Sequence, residues 1–86
     1  MSLNFYRDEA GLFLKAIQAL DEPVDRKIEM LQQELDTLKS SVPDADALRH
    51  QTYDLLFLLF EIAFQNNVDL DLEWLNGQSR KKEKYL

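Results

Sequence analysis

Apolar positions recur at helical spacing in four stretches of this chain, and the four stretches differ in kind. In the first, Ala10, Phe13, Leu14, Ile17 and Leu20 return every three or four residues, which predicts a helix over residues 7–20. Gly11 weakens it slightly. Asp21, Glu22 and Pro23 read as a break and a restart, because proline is tolerated in a first helical turn and acidic residues suit the positive end of the helix dipole. In the second stretch, residues 23–39, Val24, Ile28, Leu31, Leu35 and Leu38 alternate steps of four and three. That is a heptad seam. It is too short for a free coiled coil but long enough to pack against one partner helix, within the chain or across a dimer. Ser40, Ser41, Val42 and Pro43 form the next turn.

The third stretch, residues 44–65, is polar in its first half and apolar in its second. Nine of the ten positions from Leu55 to Phe64 are apolar, so they cover every side of a helix. A helix that is apolar all round is buried all round, and 86 residues offer little material for that. The run therefore predicts a central helix wrapped by its own chain and by a second copy. Glu61, its one polar member, lies either on a single wet edge or in a pair across an interface. Asn66 and Asn67 make a good stop, since asparagine tolerates the left-handed conformation that ends helices. Asp69 is an N-cap candidate for a fourth helix, with Asp71 and Glu73 in its first turn. That helix carries Leu70, Leu72, Trp74 and Leu75 and then turns basic. Neither an internal repeat nor strand-like alternation is present. The expectation is a single all-α domain over residues 1–86, a four-helix bundle or half of a dimeric one.

Composition narrows the function classes. A 45% hydrophobic content is enough to fold. Sixteen acidic residues against ten basic ones give a net charge of −6, which disfavours nucleic acid and anionic membranes as partners. The absence of cysteine removes disulfides, thiol catalysis and thiolate metal sites, and fits a cytoplasmic setting. The first residues do not have the pattern of a signal peptide. The apolar run is about half of the roughly 20 residues that span a bilayer.

Asp54 stands where the polar and apolar halves of the third helix meet, so a partly desolvated carboxylate is expected there, in need of a partner, a metal or a proton. Gln51 and His50 precede it on the same face. Glu34 flanks the second-helix seam, and Glu29 lies near Ile28. If the second and third helices are antiparallel neighbours, Glu34 and Asp54 face each other, and facing carboxylates suit Mg²⁺. The bland alternatives are a structural acceptor at Asp54, a solvated charge at Glu34 and an exposed lone histidine at His50. Arg80, Lys81, Lys82 and Lys84 gather four of the ten basic residues at the C-terminus. They either complement a helix dipole or grip phosphates beside a carboxylate-bound metal.

Together these residues resemble a known family. The segment QTYDLLFLLFEIAFQNNVDLDLEWLNGQSRKKEKY is similar to the second half of the MazG-like all-α nucleoside triphosphate pyrophosphohydrolases. Asp54-Leu55-Leu56-Phe57, Val68-Asp69-Leu70 and Lys84-Tyr85 carry the likeness, and Glu34-Leu35 matches the end of the family's upstream E-x-x-E motif. The resemblance implies a MazG-like bundle, associated as a dimer or higher, that hydrolyses a nucleoside triphosphate to the monophosphate and pyrophosphate with Mg²⁺. Glu34, Gln51 and Asp54 would be its metal-binding positions, and Arg80, Lys81 and Lys84 its phosphate-binding ones. The motifs are incomplete, however. Leu31 and Gln51 stand where two of the four carboxylates belong, and the helix-four lysine and asparagine fall near Gly77 and Lys81. Glu29 lies about 140° around the helix from Glu34 and would need a register shift to substitute. Glutamine adds no charge and is no base, and leucine cannot coordinate, so metal affinity should fall sharply. Two readings follow: a divergent pyrophosphohydrolase, and a non-catalytic relative that binds a nucleotide or a protein. A third is an acidic adaptor unrelated to nucleotides, using the seam of the second helix.

Overall fold

The computed structural model describes residues 2–86. Among these there are four helices and no strand: α1 (Leu3–Ala16), α2 (Val24–Ser41), α3 (Ala45–Gln65) and α4 (Leu70–Tyr85). Each start except that of α2 has a side-chain cap. Ser2 accepts from the Phe5 amide, Asp44 from Asp46 and Ala47, and Asp69 from Leu72, satisfying amides that the helix itself leaves unpaired. α3 stops where Asn67 takes a left-handed conformation, φ 54°. α1 runs earlier than the spacing of its apolar residues predicts. It begins at the Ser2 cap and ends before Gln18, which turns left-handed at φ 58°.

α3 is the axis of the fold, with α1 and α2 packed on two sides of it, while α4 packs chiefly on α1. The face of α1 turned to α3 carries Ala10, Gly11 and Leu14, all buried. Gly11 is needed there because a Cβ would collide with the Phe64 ring. Ile17, expected on the same face, is instead exposed, whereas Phe13, though half exposed, packs edge-on against Phe57 of α3 with ring centroids 5.4 Å apart. α2 is rotated in a similar way. Its face toward α3 is Lys27, Leu31, Glu34, Leu38 and Ser41, the buried and half-buried positions, while Val24, Ile28 and Leu35 face outward. The heptad seam is thus divided between the inside and the outside of the chain. α3 is not covered all round either: Leu56 and Leu59 are each 49% exposed.

The links between helices are held by polar side chains. The Gln65 amide donates to the carbonyls of Leu20 and Glu22, pinning the α1–α2 connection to the end of α3. Arg7 donates to the Val68 carbonyl at 2.8 Å. The starts of α1 and α4 are laced together: the Leu3 amide donates to Asp71, the Leu70 amide to Asn4, and the Asn4 amide to Asp69. The hydrogen bond from Asn4, with that from the Leu72 amide, holds the Asp69 carboxyl below its ordinary value.

This single chain is open for its size. Its accessible surface is 6706 Å², where a compact monomer of its mass would expose about 5,300 Å². Its radius of gyration is 14.6 Å, against about 12 Å for a compact domain of this length. Among the described residues, no helix is long and apolar enough to cross a membrane.

Candidate functional site

The short α2–α3 turn makes the two helices antiparallel neighbours, and the register places charge opposite charge. The Lys27 ammonium, 2% exposed, lies 3.3 Å from the Glu61 carboxylate and 3.6 Å from that of Glu22. Glu61 is buried as well, so the polar residue of the apolar run is paired with a lysine of the same chain. Two turns further along α2, the buried Gln51 amide donates to the Glu34 backbone carbonyl at 2.8 Å and also to the Glu34 carboxylate. Gln51 therefore meets Glu34 through its donor end. A ligand to a cation would have to present its oxygen instead.

Glu34 and Asp54 line one cavity of about 360 Å³, where α1, α2 and α3 meet. Phe13, Met30 and Phe57 form apolar walls, and Glu61 borders it from the lysine side. The expected juxtaposition of Glu34 with Asp54 is thus present. Asp54, however, is exposed rather than partly desolvated, and it also borders a shallow hollow with Arg49, His50 and Tyr53. The position lies at the rim of the helix pair, where water can solvate the carboxylate. Among the described residues no group of three or more His, Cys, Asp and Glu is placed to hold a metal ion. The donor set does not fit a divalent cage: one carboxylate is tied to an amide, one to an ammonium, and the third faces water.

The basic residues of α4 stand apart from this cavity, whose lining includes no α4 residue. Arg80 pairs with Glu73 of its own helix at 2.7 Å, Lys81 borders a small hollow with Trp74 and Gly77, and Lys84 sits 5.3 Å from the Tyr85 ring centroid. Within one chain they are not brought to Glu34 and Asp54.

Lys27 is the member of this interface that inspection of the apolar pattern misses. The signal for it was in the register. If Glu34 faces Asp54 across antiparallel helices, one heptad back along α2 is Lys27 and one heptad on along α3 is Glu61. Comparisons with protein-family models, with curated proteins and with solved structures return no significant match.

Proposed function

We propose that this chain is a non-catalytic relative of the MazG-like pyrophosphohydrolases, a self-associating helical module of the cytoplasm that has kept the bundle and lost the divalent-cation cage. The Gln51 amide, which donates to both the carbonyl and the carboxylate of Glu34, carries this reading. It occupies the carboxylate most needed by a metal, at the position where the resembled motif would supply a second negative charge. Leu31 removes a further ligand, and Lys27 already neutralises Glu61. A cation entering here would meet too little uncommitted anionic charge to repay its dehydration. Self-association is supported by the surplus surface of the single chain and by its many exposed large apolar side chains.

A second reading, a divergent triphosphate pyrophosphohydrolase, is favoured by one observation: Glu34, Asp54 and Glu61 border a single cavity. On that reading Glu34, Gln51 and Asp54 would hold Mg²⁺. Arg80, Lys81 and Lys84 of a second copy would grip the phosphates. Calorimetric titration of Mn²⁺ or Mg²⁺, with and without a non-hydrolysable nucleoside triphosphate, separates the two. The non-catalytic reading predicts no saturable metal binding by wild type or by Asp54→Asn. Saturable binding that disappears in Asp54→Asn would overturn it in favour of the hydrolase.

A further inference from the structure

The proposed self-association does not say which surface meets which, and the apolar surface of α4 answers that. α4 has sixteen residues and buries none of them against its own chain. Trp74 and Leu75 are each 61% exposed. They wall a cavity of about 460 Å³ between the starts of α1 and α4 that also includes Leu3. Leu3 in turn belongs to a groove of about 390 Å³ between α1 and α3, lined by Tyr6, Leu56 and Phe60 among others. One apolar surface thus runs from a ridge on α4, across Leu3, into a groove on α3.

We infer that two copies pair about a two-fold axis, with the Trp74–Leu75 ridge of α4 from each copy lying in the Tyr6–Leu56–Phe60 groove of the other. The inference rests on the self-association proposed above and names its surface. A ridge and a groove side by side on one copy are self-complementary under a two-fold rotation, which closes the assembly at two. Size agrees: the single chain exposes roughly 1,400 Å² more than a compact chain of its mass, above the ~800 Å² per partner of a stable interface. Charge agrees too. Six basic and fifteen acidic residues precede Arg80, whereas four basic and one acidic residue follow from there to Leu86. Glu9 lines the groove itself and offers a carboxylate to the basic end of a second copy's α4.

Trp74 is the only tryptophan of the chain, so the intact protein carries its own reporter. Sedimentation velocity and tryptophan emission are followed together through a dilution series. Dimers at high concentration, with emission shifting to the blue and losing acrylamide quenching in step with the dimer fraction, are the expected result. Leu56→Glu, at a position open to water in the single chain, raises the dissociation constant by roughly 30-fold or more. Leu35→Glu, on the outer side of α2, leaves it unchanged. A dimer that forms while Trp74 stays fully quenchable overturns the named surface and leaves self-association standing. A monomer at every concentration overturns both. The wild-type series decides the matter even if Leu56→Glu fails to fold.

Discussion

α1 and α2 pack on the same helix from two sides and do so by opposite means. The α1 side is made of shape: Ala10, Gly11 and Leu14 let the backbone approach α3 closely enough for Phe64 to lie over Gly11. The α2 side is made of charge and hydrogen bonds, with Lys27, Ser41, Gln51 and Glu61 buried. Apolar packing of the first kind supplies most stability in small domains. A buried ion pair adds little against a well-packed apolar replacement, yet losing one partner is costly. The α2–α3 interface is therefore a place of conditional stability, held at one end by the Lys27–Glu61 pair.

The largest effect should come from breaking that pair. Glu61→Leu strands the Lys27 ammonium with only Glu22 beside it, and should cost about 3–5 kcal/mol of unfolding free energy, enough to unfold much of a small domain. Adding Lys27→Met to it should return most of the loss, since an apolar pair of similar volume is near neutral or better. Urea denaturation of the two variants reads both values, and equal losses in single and double variants would mean that the stranded Lys27 ammonium is not what destabilises Glu61→Leu. On the α1 side, Leu14→Ala, at a fully buried position, should cost about 2–5 kcal/mol. Gly11→Ala should cost about 1–3 kcal/mol by overpacking against Phe64, in spite of the better helix propensity of alanine. A stabilised Gly11→Ala variant would show that the α1–α3 contact is looser than described.

The smallest effect is one of pH. The Asp69 carboxyl is held below its ordinary value of 3.8 by Asn4 and by the Leu72 amide. A depressed carboxyl contributes stability that is full above the unfolded value and is lost as pH falls through the folded one. Asp69→Asn keeps an N-cap but removes this titration. Melting temperatures of wild type and variant should therefore converge as pH drops below about 3.8. Parallel curves across that window would take the group out of the account.

What could be read in the sequence divides along the same line. The existence of all four helices, the stop at Asn66 and Asn67 and the cap at Asp69 follow from local chemistry, and the structure has them. The facing of each helix was harder. Period alone put Ile17 on the inner side of α1 and the whole Val24-to-Leu38 seam against one partner. The closest approach to α3 was instead set by Gly11, whose lack of a side chain leaves no apolar signal. On α2 the inner face includes a lysine, a glutamate and a serine beside Leu31 and Leu38, so a pattern of apolar residues finds only part of it. Asp54 was expected to be partly desolvated because the apolar run begins beside it, but one turn of helix is enough to put it at the rim. The α4 ridge is exposed and apolar in the single chain, as expected if a second copy covers it.

Small-angle X-ray scattering over a concentration series tests that last statement most directly. The expected result is a forward scattering mass of twice 10.1 kDa at high concentration, with a pair distribution too broad for one chain. A particle of 10.1 kDa at every concentration, with a radius of gyration near 14.6 Å, would contradict it.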